Sequence, residues 1–439
     1  MRPGSAPQNA FAATVAMLGL LGIGGCDHAT EPGGGSPSRV VWRYPAAPGI
    51  YYGSPALSAD ETTVYIGTSM PFFASHENDQ FFLALDATSG EMRWQHRLGH
   101  ADVRSTPAVA ADGSIYVMVQ VMTPGGAVLR DELLHLGATG DSLWAYNINA
   151  IPLLLDVGLS APAIGPDGTV YVTGDRLYAI HPDGSLKWAA LTPTGEAMRN
   201  SPVVGADGTV YFVTHNVPLT ALDPDDGATI WSCPLGPNDH CFASPAIGAD
   251  GAIYVATNPG IVYAVSPAGQ VHWTFSLASV GFDGYLRSSP AVDADGTIYF
   301  GVNNGNPSSA FFALHPDGSL KWIFEPGDLP AGVPRDHFDI YSSPAIGADG
   351  TIYFGQEFGR VYALDPTNGS MRWMAGTGQG ITWSSPALAS NGRLFIADLA
   401  GVVYAIRTES LGLKVAAPWA KFRRDLRNTG SAAGLRTRS

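Results

Sequence analysis

The sequence predicts an all-β ring, a propeller of eight four-stranded antiparallel blades closed by a strand from its own N-terminus. Three observations predict it. A proline-marked apolar strand recurs at Pro55, Pro107, Pro162, Pro202, Pro245, Pro290, Pro344 and Pro386. An aromatic-bearing second strand follows each, at Tyr65, Tyr116, Tyr171, Tyr211, Tyr254, Tyr299, Tyr353 and Phe395. Tryptophans close seven of these units, at Trp94, Trp144, Trp188, Trp231, Trp273, Trp322 and Trp373, while one more, Trp42, stands before the first. Self-similarity of this kind marks a repeat architecture.

One copy, Tyr341 to Trp373, shows how a blade is built. Ser342–Ile346 is a short apolar strand, and Gly347–Gly350 is a turn carrying Asp-Gly. Thr351–Gly355 and Arg360–Leu364 are β-branched and aromatic, Asp365–Gly369 is a second turn, and Met371–Trp373 opens the last strand. Short strands punctuated by Gly, Asp, Asn and Pro read as a β-meander. Gly 53, Pro 33 and only 14% charged residues in 439 suit such a turn-rich chain. A net charge of −14 argues against a nucleic-acid partner, which needs a basic face.

Residues 1–25 read as a leader rather than as fold, with an apolar run at Ala10–Ile23 too short to span a membrane comfortably. The run ends Leu21-Gly22-Ile23-Gly24-Gly25-Cys26, which resembles the bacterial lipobox and implies cleavage before a lipidated Cys26. An ordinary signal peptide with an incidental cysteine is the alternative. Residues 26–38, lacking large hydrophobics, read as a flexible tether. The propeller is expected over 39–415 and a basic tail over 416–439.

The last unit lacks its closing strand, because Val402–Ile406 is followed by no tryptophan at the usual spacing. Trp42 lies 13 residues before Pro55, the same interval that separates Trp94 from Pro107 and Trp373 from Pro386. Val40-Val41-Trp42 therefore completes the eighth blade and closes the ring, leaving only short edges. The eight tryptophans are expected as structural docking residues between blades.

The segments Ala84–Trp94 and Ala363–Trp373 resemble the tryptophan-docking repeat of quinoprotein (pyrroloquinoline quinone) propellers. His181–Trp188 and His315–Trp322 are variants with histidine in place of the aspartate. Trp419–Gly430 is similar to a segment that often flanks such repeats. The resemblance extends over roughly residues 39–430 and includes propeller lipoproteins of the outer-membrane barrel-assembly machinery. It implies packing of each tryptophan between neighbouring blades. The family's dehydrogenases place a disulfide of adjacent cysteines against the quinone; no adjacent cysteines occur in this chain.

The turns between first and second strands and between third and fourth share one face and are short and uniform. Their aspartates fit turn geometry. Asp293-Ala294-Asp295-Gly296 imitates the start of a calcium loop, but offers fewer oxygens than a calcium cage needs. The other face carries the irregular loops, where function on a rigid scaffold usually sits. Three positions before the repeat prolines stand Tyr52, Arg104, Leu159, Arg199, Phe242, Arg287, Tyr341 and Trp383. They are expected to ring one mouth of the central channel. Arginines beside aromatics suit an anionic or planar ligand or a peptide carboxylate. The plainer alternative has them pairing with Asp102, Asp283, Asp336 and Asp339 and packing the blade ends.

Cys233 and Cys241 fall in the link between blades 4 and 5, and in an exported chain they are expected to form a loop-stapling disulfide. Zinc held by Cys233, His240 and Cys241 is the alternative, short of a fourth ligand. Catalytic signatures such as HExxH or a phosphate-binding glycine loop do not occur. The expected function is a non-catalytic, lipid-anchored, monomeric scaffold of the bacterial cell envelope, periplasm-facing or at the surface. It would bind envelope proteins and need no metal or cofactor. The alternatives are a divergent dehydrogenase using pyrroloquinoline quinone with calcium, and a small-molecule or glycan binder.

Overall fold

The computed structural model describes residues 38–46, 49–70, 79–148, 160–191, 200–214, 217–236, 241–306, 309–327 and 339–432. Within them lie eight antiparallel blades. Blade 1, for example, is Ala56–Leu57, Thr63–Gly67, Gln80–Asp86 and Met92–Gly99 in spatial as well as sequence order. Blade 2 gains a fifth strand, Ala101–Val103, and a small ribbon pairs Asp283–Tyr285 with Asn303–Asn306. The one helical element among the described residues is a 3-10 turn, Leu277–Val280.

The ring closes as its arithmetic requires. Val40–Pro45 pairs with Val402–Arg407 and forms the outer strand of the sheet containing Arg393–Ala397 and Ala387–Ala389. Trp42 lies opposite Ala405, the register in which Trp94 lies opposite Ala84 and Trp373 opposite Ala363.

A row of side chains crosses each blade at that register. In blade 6, Ala291 faces Tyr299, Tyr299 faces Ala313, and Ala313 faces Trp322. Alanine on the third strand is small enough to let the tyrosine and tryptophan rings meet over it. Their centroids are 5.8 Å apart in blade 6, 5.7 Å in blade 3 and 5.6 Å in blade 7. Such tilted aromatic pairs add about 0.5–1.5 kcal/mol each beyond the area they bury.

Each indole also reaches its neighbour. Trp144, Trp188, Trp231, Trp273 and Trp322 donate Nε1–H to the carbonyls of Pro182, Pro224, Pro267, Pro316 and Pro366, at 2.8–3.0 Å. The glycine of the receiving turn lies flat under the ring. A Cβ on Gly318 would stand 2.6 Å from Trp273, and one on Gly369 equally close to Trp322. Repeat tryptophan and repeat glycine are thus two halves of one contact between blades.

Candidate functional site: the two ends of the central channel

The innermost strands surround the axis, and the residue before each repeat proline faces the next blade. Seven of these residues are hydroxylic, and they form a belt. Ala161 N–H donates to Ser201 Oγ, Ser201 to Ser244, Ser244 to Ser289, Ser289 to Ser343, Ser343 to Ser385, Ser385 to Ser54, and Ser54 to Thr106 Oγ1, at 2.9–3.2 Å. The belt breaks only between Thr106 and Ala161, where the methyl side chain offers no acceptor. All of these groups are buried.

Two residues further toward the irregular loops lies the predicted mouth. The structure brings six of its residues together along consecutive blades, from Phe242 on blade 5 round to Arg104 on blade 2. The Arg287 guanidinium lies over the rings of Phe242 at 5.0 Å, Tyr285 at 5.4 Å and Tyr341 at 5.9 Å. Tyr341 in turn meets Trp383 at 4.9 Å. Arg104 lies over Tyr52 at 5.1 Å, and its Nη2 meets Asp102 Oδ2 at 3.2 Å with both side chains fully buried. Tyr341 donates its hydroxyl to Asp339 Oδ2 at 3.0 Å, and Ser309 donates to Oδ1 at 2.8 Å. Burial first, and the Asp339 charge second, push the Tyr341 phenol far above its usual range, so it stays a donor. Arg199 and Asp336 lie outside the described residues, as do Cys26, the leader and most of the tether.

The arginines at this mouth therefore differ in kind. Arg104 is an internal member of a buried ion pair, as the plainer reading expects. Arg287 is only partly buried and held by rings, and Tyr285 beside it is 41% exposed. On the same face Phe358, in the turn between the middle strands of blade 7, is 40% exposed under the Arg360 guanidinium at 5.7 Å. Sequence reasoning missed Tyr285 and Phe358 because one stands in a short ribbon between blades and the other in a turn, both off the repeat register.

The opposite end of the channel is closed. Lys421, Arg423 and Asn428, from the last part of the chain, lie at the axis and are at most 1% exposed. Burial draws the Lys421 ammonium down to about 7, with Asp425 opposing and Arg423 reinforcing the shift. The sequence boundary at 416 thus divides a segment from the ring it packs into. On this uniform-turn face Asp293, the first residue of the calcium-like turn, takes the Lys414 ammonium at 2.7 Å.

No disulfide joins Cys233 and Cys241 in the structure, contrary to the pairing expected from an exported chain. Cys233 closes the outer strand of blade 4 opposite Leu219, and both sulfurs are buried in one apolar cluster with Val213 and Phe275. Burial raises the Cys233 thiol above its usual range, favouring the protonated form. His240 lies outside the described residues. Among the described residues no three His, Cys, Asp or Glu side chains converge as a metal site would require. A cleft of about 380 Å³ beside the ring seam is lined by Arg43, Gln379, Asp398 and Tyr404. The Asp398 carboxylate in it already accepts from Val402 N, Tyr404 OH and Gln379 N at 2.9–3.2 Å.

A closed eight-bladed ring with interlocking tryptophan and glycine defines the class, a propeller of quinoprotein-type repeats. The family model described as outer membrane protein assembly factor BamB matches residues 130–342 and 218–423, and the chain belongs to that family. No curated protein matches it. Among solved structures it is similar to quinohemoprotein alcohol dehydrogenase from Comamonas testosteroni, with a TM-score of 0.63 and 15% identity over 84% of this chain and 76% of that one. A europium-containing methanol dehydrogenase gives 0.62 and 16% over 90% of each chain. The C-terminal WD40 domain of Sif2 gives 0.60 and 12% over 85% of this chain and 100% of that one. At these identities the likeness is one of fold, shared by enzymes and a WD40 domain alike.

Proposed function

We propose that this protein is a non-catalytic scaffold of the bacterial cell envelope, held to the membrane by lipid on Cys26. It offers the irregular-loop face of a monomeric propeller to protein partners, in the assembly of envelope or outer-membrane proteins. The observation that carries the reading is the make-up of the mouth. Arg287 with Phe242, Tyr285 and Tyr341 forms an arginine–aromatic surface whose members pack on one another. Partly exposed tyrosine, phenylalanine and arginine on a stiff frame are the composition of protein-interface anchors. The family's printed description, an outer membrane protein assembly factor, supports the same reading.

Crosslinking in native membranes tests it. Wild-type protein should capture outer-membrane assembly components, and the Tyr285→Ala/Arg287→Ala variant should capture them several-fold less. An unchanged captured set would remove the mouth from the proposal. Quinone and calcium binding accompanied by alcohol-dependent dye reduction would replace the scaffold by a dehydrogenase.

A further inference from the structure

The last described part of the chain treats the ring as a ligand treats a receptor. It runs along the uniform-turn face and touches the innermost strands largely in ring order. Its carbonyls at Trp419, Ala420, Leu426, Arg427, Thr429 and Gly430 accept from the amides of Val292, Ile346, Leu57, Val109, Ile164 and Val204, at 2.7–3.0 Å. Every one of those six donors is the second residue after a repeat proline, so six blades present the same amide. The proline carbonyls themselves are read by side chains. Arg423 Nη1 and Nη2 donate to Pro202 O and Pro162 O, both at 2.8 Å. Asn428 Nδ2 donates to Pro55 O at 3.2 Å and Pro107 O at 3.1 Å. Blades 1 to 4 are each gripped twice, once at the amide and once at the proline carbonyl.

The segment is also shaped for this seat. Arg423, Arg424 and Asn428 have φ of 60°, 73° and 55°, a region that side-chain-bearing residues seldom enter unless surroundings hold them there. Asp425 fixes the turn by accepting from Thr429 N and Oγ1 at 3.1 and 2.6 Å. Gly430 lies against the Arg423 guanidinium, where a Cβ would stand 2.0 Å from Nη2. Lys421 Nζ is bonded to Asn428 Oδ1, linking the two ends of the loop. Leading into it, Leu413 and Lys414 are bonded to the ring, whereas Val415, the last residue before the segment, is 97% exposed and open to cutting.

We propose that residues 416–432 form a separable latch, a peptide bound in cis by a groove built from the eight-fold repeat. Arg423 and Asn428 are its reading residues, and it seals the channel at the uniform-turn face. Access to the axis is then confined to the mouth formed by Tyr52, Arg104, Phe242, Arg287, Tyr341 and Trp383. Four hydrogen bonds from two fully desolvated side chains make recognition sequence-specific, because an occupant lacking them leaves proline carbonyls buried without donors.

The test uses the full chain, folded first, with a protease site inserted between Val415 and Ala416. After cutting, the C-terminal peptide should stay with the ring through gel filtration. The amides of Leu57, Val109, Ile164 and Val204 should keep their protection from deuterium exchange. Stripping the cut peptide should speed exchange at those four amides at least about tenfold, with the outer strands unchanged. A labelled 416–432 peptide should rebind, and its Arg423→Ala/Asn428→Ala version should bind at least about a hundredfold more weakly. The peptide variant does not itself need to fold, so a folding defect cannot obscure the result. Loss of the wild-type peptide on cutting, or equal binding of the two peptides, would overturn the latch.

Discussion

The indole of Trp373 donates to Glu409 Oε2 at 2.8 Å, while Glu409 Oε1 takes Arg39 at 2.8 Å and the same guanidinium lies 4.4 Å over the Trp373 ring. The other seven blade-docking tryptophans donate instead to a backbone carbonyl of the next blade. Trp373 faces the seam, where blade 8 takes its third strand from residues 402–407 and its fourth from residues 40–45, with no connecting turn between them. A carboxylate and an arginine from the two chain ends replace the missing turn.

That substitution gives the seam a pH dependence. Burial alone would raise the Glu409 carboxyl, but hydrogen bonds from Arg39 and Trp373 hold it below its usual value. A depressed carboxylate contributes stability that is present above the unfolded value, about 4.3, and lost as pH falls through the lower folded one. The pair is partly exposed, so Glu409→Gln should cost no more than about 1 kcal/mol at neutral pH. The Tm gap between variant and wild type should close toward pH 3. A gap constant across that range would show that the charge is irrelevant to the seam.

The serine belt predicts opposite effects at two positions. Ser54→Ala removes the acceptor of the Ser385 amide in a buried setting, a loss of about 1–3 kcal/mol in denaturant unfolding. Ala161→Ser supplies the acceptor missing from the belt and should stabilise by about 0.5–1.5 kcal/mol. If Ala161→Ser is neutral or destabilising, the break in the belt is a packing requirement and not a missing bond.

Turn glycines give a third prediction. Gly318 has φ of 84° and would place a Cβ 2.6 Å from the Trp273 indole. Gly318→Ala should therefore destabilise by about 1–3 kcal/mol and quench or shift the Trp273 emission. Alanine at Gly327, where a Cβ meets nothing within 4 Å, is the matched control. Equal losses at the two positions would contradict the contact.

These elements differ in how far the sequence reveals them. Blade number, ring closure through Trp42 and the mouth register follow from spacing, because a repeated covalent interval leaves one geometric solution. The serine belt was visible in principle, as Ser or Thr precedes seven of the eight repeat prolines, yet Ser-Pro on its own carries no signal until the strands are placed around an axis. The latch was not legible. Lys421, Arg423 and Asn428 read by composition only as part of a basic tail, and it is proximity to the proline carbonyls that makes the burial of Arg423 and Asn428 possible. For Cys233 and Cys241, closeness in sequence and an exported context suggest a bond that the structure does not show.

His135 offers the last prediction, from a break in the alanine row. Blade 2 carries histidine where the other seven carry alanine, and the ring stacks on Tyr116 at 4.2 Å and meets Trp144 at 4.8 Å. It is 5% exposed, and neither ring nitrogen has a hydrogen-bond partner. Burial lowers its pKa, with Asp112 opposing weakly, so the folded ring holds the neutral form. The unfolded chain then binds the extra proton first, and stability falls as pH drops below about 6.5 toward the folded value. His135→Ala should cost about 1–3 kcal/mol at pH 8 through lost packing. That cost should shrink on the way to pH 5, because only wild type must keep a buried imidazole neutral. Parallel unfolding curves for the two proteins from pH 8 to 5 would mean that the imidazole ionises in place, and that the gap between Tyr116 and Trp144 is open to water.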